Sequence, residues 1–152
     1  MSHAPSIPLR LRAKALLGIL VLMSVYLYQA NACDPIYFVC NKYVPLLTLS
    51  KRDVKNIYMG KKTTWSNGQK ITFAVLKKET PYGTFLHTYL MKSSQQFDCY
   101  WLNRVFSGEG FFPKTFDTDE ALVAYVAKTD GAIGFTSRRV EDPMVRQIIV
   151  LD

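Results

Sequence analysis

The stretch Ile71 to Leu90, ITFAVLKKETPYGTFLHTYL, constrains the fold more than any other part of the chain. Ile71, Phe73, Val75 and Leu76 are strand formers. Thr80 reads as an N-cap and Pro81 as the first helical residue, after which Phe85, Leu86, Tyr89 and Leu90 recur at helical spacing. A buried strand therefore runs through a tight turn into a helix. Such a helix start leaves the backbone N–H groups of Tyr82, Gly83 and Thr84 at the positive end of the helix dipole. The Thr80 and Thr84 hydroxyls lie beside them, and Lys77 and Lys78 precede them. Unpaired donors and a helix dipole together suit a small anion. The plainer reading of the same residues is an ordinary capped helix after a strand.

The flanking sequence repeats the alternation. Ile36 to Cys40 reads as a first, central strand, and Asn41 to Thr48 as a loop. Ser50-Lys-Arg-Asp53 is a capping box opening a helix that buries Val54, Ile57 and Tyr58 and stops at Gly60. Asn67-Gly68 marks a turn, and Trp65 beside it reads as a packing anchor. Phe97 to Phe106 forms a further helix with Phe97, Trp101, Leu102 and Val105 on its inner side. Phe111 to Lys114 crosses the surface or lines a groove. Asp117 to Glu120 is a second capping pattern, before a helix that turns Ala121, Leu122, Tyr125 and Val126 inward. Ala132 to Thr136 is a buried strand whose Gly134 implies a bend or a close approach of backbone, and Gln147 to Leu151 is a terminal strand. The expected architecture is α/β: a three-layer αβα arrangement around a mixed, mostly parallel sheet.

Residues 1–14 hold Arg10, Arg12 and Lys14 with no acid, Ala15 to Tyr28 is almost wholly apolar, and Gln29-Ala-Asn-Ala32 follows. This is the pattern of a secretory signal peptide over 1–32, cleaved after Ala32 to leave one domain over 33–152 in the periplasm or outside the cell. An uncleaved anchor is one alternative. Lipidation of Cys33 is another, although Ala30 stands where a lipobox has Leu. The leader holds three of the 19 basic residues and none of the 12 acidic ones, so the formal +7 falls to near +4 over 33–152. That is a mild pull toward anions, without the aromatic–basic repeats of a nucleic-acid binder. Export permits disulfides, and Cys33 with Cys40 is the expected pair, leaving Cys99 as the odd thiol.

Catalysis has little to stand on. No C-x-x-C or His/Cys cluster offers a metal site, and no cofactor motif is present. His87 lies on an apolar helix, Ser50 is a cap, and Asp117, Asp119 and Glu120 read as helix-start acids. No G-x-S-x-G elbow occurs. Cys99 lacks a base partner in sequence, though a fold could bring His87 near it.

Leu49 to Lys61 with Trp65 and Gly68, then Lys78-Glu-Thr-Pro-Tyr-Gly-Thr84, then Gly131-Ala-Ile-Gly-Phe135, form three motifs whose order resembles that of phosphate ABC transporter substrate-binding proteins. Leu49 to Lys61, followed by Trp65 and Gly68, resembles that family's helix–G-K–W–x–x–G segment. Lys78-Glu-Thr-Pro-Tyr-Gly-Thr84 falls where the family has its Arg-x-Asp-Gly-Ser-Gly-Thr phosphate loop, and Gly131-Ala-Ile-Gly-Phe135 is similar to its Ala-Ile-Gly-Tyr strand. The resemblance implies a single lobe of a type 2 periplasmic-binding-protein-like fold. It also implies Lys78, Thr80, Tyr82, Gly83 and Thr84 as residues for phosphate or a similar oxyanion, with an ABC permease as partner. Lys78 in place of Arg loses the bidentate fork. Thr80 replaces the loop's carboxylate and Tyr82 its small hydroxyl, so the resemblance implies weak capture. The alternative is an envelope interaction module that docks another protein through Trp65, Tyr82 and the Phe111–Phe112 edge.

Overall fold

A computed structural model describes residues 35–152, which belong to one compact unit, Asp34–Asp152. The leader expected over 1–32, and Cys33, lie outside the described residues. The chain runs β1 (Tyr37–Asn41), β2 (Thr48–Ser50), α1 (Lys51–Tyr58), β3 (Thr72–Leu76), α2 (Glu79–Phe85), a π-helical turn (Leu86–Leu90), α3 (Ser94–Phe106), β4 (Lys114–Phe116), α4 (Asp119–Lys128), β5 (Ala132–Thr136) and β6 (Val145–Leu151). The six strands lie in the order β2-β6-β1-β5-β3-β4. β3 is parallel to β4 and β5, β2 is parallel to β6, and β1 is antiparallel to β5 and β6. The sheet is thus mixed, with parallel pairs in the majority.

Alternation along β5 sets the three layers, because successive residues point to opposite faces. Phe135 stacks on Phe85 of α2 at 4.0 Å between ring centroids, and Tyr58 of α1 packs against both rings. Gly134 faces the other way, where a Cβ would meet Leu122 of α4 at 2.6 Å. Helices α1 and α2 therefore cover one face and α4 the other. The close approach anticipated at Gly134 is the point where α4 rests on the sheet.

Local signals held where side chain and backbone cooperate over a few residues. Ser50 accepts the Asp53 N–H at 3.1 Å and Asp53 accepts the Ser50 N–H at 3.3 Å, closing the capping box. Gly60 sits past that helix at φ 66°, and Gly68 takes φ 81° in the Asn67–Gly68 turn. Trp65 is buried and its Nε1–H donates to the Gly131 carbonyl at 3.0 Å.

Four expectations are corrected. Helix α2 begins at Glu79 with Lys78 as its N-cap, so Thr80 and Pro81 are its second and third residues. Proline has no N–H, and no N–H in the first turn has an intrahelical acceptor, so Pro81 alone does not mark the first position. The cap of α4 is Thr118 rather than Asp117, its hydroxyl accepting the Ala121 N–H at 3.2 Å. Leu102 and Ala121 face solvent. The short strands β2 and β4 were not read from the sequence, since each spans only three residues with no alternation to detect.

Candidate functional site

Because β3 and β5 are parallel neighbours, their carboxyl ends emerge on the same edge of the sheet. Ligands of open α/β sheets bind at such edges. Lys77 and Lys78 leave β3 there, Ser137 leaves β5, and the first turns of α2 and α4 start beside them. Three side chains converge. The Ser137 N–H donates to Asp119 Oδ1 at 2.6 Å, the Ser137 hydroxyl donates to Asp119 Oδ2 at 2.9 Å, and Lys78 Nζ donates to the same Oδ2 at 3.4 Å. Lys78 Nζ also lies 3.4 Å from Ser137 Oγ. The Asp119 side chain is only 5% exposed, whereas that of Lys78 is 52% exposed.

Burial by itself would raise the Asp119 carboxyl. The Ser137 N–H and hydroxyl, with the Lys78 ammonium, outweigh it and hold the group below the usual carboxylate range. Its place as first residue of α4 adds the helix dipole in the same sense. The edge is therefore a cradle of donors around one negative charge, and the charge already in it is the chain's own.

The five residues singled out in the sequence are not gathered at one point. Lys78 is in the cradle. Thr80 is exposed on the first turn of α2. The Tyr82 N–H donates to the Lys78 carbonyl at 2.9 Å, so it is an ordinary intrahelical donor. With the helix starting earlier, the amides lacking an intrahelical acceptor are those of Glu79 and Thr80 rather than those of Tyr82, Gly83 and Thr84. The Tyr82 ring is buried beneath Lys77, whose Nζ lies 5.7 Å from the ring centroid, and that burial pushes the phenol up. Gly83 borders a separate cleft of about 400 Å3 with His87, Met91 and Lys92, and Thr84 is half-buried. From the sequence Asp119 is one of three helix-start acids with no site role, and Ser137 is not singled out. One resembles any helix-start acid and the other any residue after a strand; they meet because α4 lies back along β5, and the pairing of β3 with β5 brings Lys78 to them.

The remaining candidates also have places. Cys40 is a free thiol, fully buried in β1, and burial pushes it up to about 11 despite Arg146 nearby. Cys99 is free and exposed on α3, bordering a cleft with Lys77 and Trp101, while His87 borders a different one. Among the described residues no group of three or more His, Cys, Asp or Glu is placed to hold a metal ion. Of the proposed docking edge, Trp65 and Tyr82 are buried, whereas Phe111 and Phe112 are 88% and 56% exposed.

A family model described as a PBP superfamily domain matches residues 25–145. Among solved structures, the chain is similar to one from Clostridium perfringens described as a phosphate ABC transporter substrate-binding protein with bound phosphate. The TM-score is 0.58 and the identity 19%, over 77% of this chain and 45% of that one. An ABC-type phosphate transport receptor from Vibrio cholerae matches with TM-score 0.56 and 16% identity, over 77% and 46%. PstS from Borrelia burgdorferi matches with TM-score 0.55 and 11% identity, over 77% and 47%. The chain thus spans less than half the length of each of these proteins. At such identities the likeness is one of fold. Among curated proteins none matches.

Proposed function

The chain belongs to the PBP superfamily domain family, and from that premise we propose that it is an exported, single-lobe solute-binding protein that takes phosphate or a similar oxyanion weakly at the start of α2. In this reading it acts in the periplasm or outside the cell, in connection with ABC-type phosphate uptake, as a binding protein rather than an enzyme. Lys78 supplies the charge, and Thr80 with the first-turn amides supplies hydrogen bonds. Gly83 and Thr84 continue the helix, and the buried Tyr82 ring anchors it.

The observation that carries the reading is the position of Lys78 Nζ, 3.4 Å from both the Ser137 hydroxyl and the Asp119 carboxylate at the sheet edge. An edge that already accommodates one carboxylate has the donor geometry an oxyanion needs. Two physical terms limit affinity. Lys78 is half exposed, where an ionic contact is worth about 0–1 kcal/mol. A single lobe also leaves the ligand wet, without the low dielectric that strengthens hydrogen bonds in a closed cleft.

Calorimetry on the full chain with phosphate, sulfate and small carboxylates tests the proposal. The expected result is a weak, enthalpically detectable phosphate isotherm that Lys78→Ala abolishes. No heat and no thermal shift at millimolar phosphate overturns it. The second reading, docking of an envelope protein, draws support from the exposure of Phe111 and Phe112. Co-purification of a partner that survives Lys78→Ala and is lost with Phe111→Ser would favour it.

A further inference from the structure

A group of exposed apolar side chains lies on α3 and the loop that follows it. Leu102, Phe106, Phe111 and Phe112 are 43%, 83%, 88% and 56% exposed. Leu102 and Phe106 lie one turn apart on α3 and so share a helical face. Leu102 and Phe112 wall the same cleft of about 460 Å3. Phe111 and Phe112 border an adjoining cleft of about 410 Å3. Gly108, at φ 73°, and Gly110 release the loop from the end of α3, so that the two rings stand out from the surface. Isolated exposed apolar side chains are ordinary, but four in one patch mark a contact surface.

The rim indicates what is contacted. Lys70, Arg104, Glu109 and Lys114 line the second cleft. Arg104 is 3.8 Å from Glu109, and Lys77 of the first cleft is 3.3 Å from Asp98. Lys70 and Lys114 have no carboxylate within ion-pair distance among the described residues. The patch thus combines projecting aromatic rings with a net positive rim, on a domain of formal charge near +4 over 33–152. A protein partner would need a shape complementary to the projecting rings. A bilayer interface receives such rings without one, and anionic headgroups supply the charge that the two lysines lack. No helix among the described residues is long and apolar enough to cross a membrane.

We propose that the Leu102–Phe106–Phe111–Phe112 patch seats the domain on an anionic lipid surface, its aromatic rings entering the interface and Lys70 and Lys114 meeting the headgroups. The leader is apolar as well, so the experiment compares full-length chains that differ only in the patch and reads the patch directly. Phe111→Trp places a fluorophore at the tip. Equimolar phosphatidylglycerol–phosphatidylethanolamine vesicles should shift the emission of this variant to the blue, relative to the parent chain, and pure phosphatidylcholine vesicles should shift it much less. The combined Phe106→Ser, Phe111→Ser and Phe112→Ser variant should lose about tenfold in partition to the anionic vesicles. Lys70→Glu with Lys114→Glu should lower the preference for anionic over neutral lipid. An unmoved Phe111→Trp emission, or equal partition of the parent and the triple variant, overturns the proposal. So does a concentration-dependent dimer, abolished by Phe111→Ser, whose formation excludes vesicles, because the patch would then serve a second copy.

Discussion

The carboxylate of Asp119 receives the backbone N–H of Ser137 at 2.6 Å, tying the first residue of α4 to the residue that leaves β5. The contact is buried on the carboxylate side and is reinforced by the Ser137 hydroxyl and Lys78. It joins three chain segments at the edge where the ligand is proposed to bind, and so has consequences for both stability and affinity.

Asp119→Asn should lower stability at neutral pH by about 1–3 kcal/mol, the range for leaving a buried hydrogen-bonded group partly unsatisfied. The carboxyl is held below its ordinary value of about 4, so the stabilisation is present above that pH and is lost as pH falls through the lower, folded value. Thermal melts should show the parent losing Tm below about pH 4, with a flatter profile for Asp119→Asn in that window. Parallel profiles would show that the carboxylate does not stabilise the fold electrostatically.

Asp119→Asn should also tighten phosphate binding, by about threefold to tenfold, because Lys78 would no longer share its charge with an internal carboxylate. Lys78→Ala combined with it should erase the gain. Calorimetry on the two variants decides the matter, and unchanged affinity in Asp119→Asn would place the oxyanion away from this edge.

Gly131 and Gly83 should respond oppositely to alanine. A Cβ at Gly131 would lie 2.2 Å from the Lys70 carbonyl oxygen, in a residue at φ 71°, so strain adds to a backbone clash that no rotamer relieves. Denaturant titration of Gly131→Ala should show a loss of about 2 kcal/mol or more, or no folded protein. Gly83 lies inside α2 with open space where its Cβ would go. Gly83→Ala should therefore gain about 0.5–1 kcal/mol in the same titration.

Thiol labelling should separate the two cysteines. Cys99 is exposed and should react with an alkylating reagent in the native protein at mildly alkaline pH. Cys40 is buried, with its thiol pushed up to about 11, and should react only on unfolding, as mapped by peptide mass. Native labelling of Cys40 would contradict its place in the core of β1.

Much of the architecture follows from local pattern. The capping box at Ser50 and Asp53, the turn at Asn67–Gly68 and the apolar strand at Ala132 to Thr136 each involve residues a few positions apart. Elements therefore form much as their residues suggest. Reading failed where the deciding partner was remote or the signal was degenerate. Pro81 fits any position in the first turn of α2, so the helix start was misplaced and with it the set of unpaired amides. Leu102 matched the inner stripe of α3, yet the rotation of that helix on the sheet turns it outward.

By itself the amino-acid order determined the longer strands and the helices and that they alternate, because hydrophobic periodicity and caps act within single elements. Only the tertiary structure decided that β3 and β5 lie side by side and parallel, and hence that Lys78, Asp119 and Ser137 meet. Those three residues are separated by 41 and 18 positions in the chain, and no local preference spans such distances. Their meeting is fixed by the burial of the sheet's two faces, an energy shared among all the residues of the core.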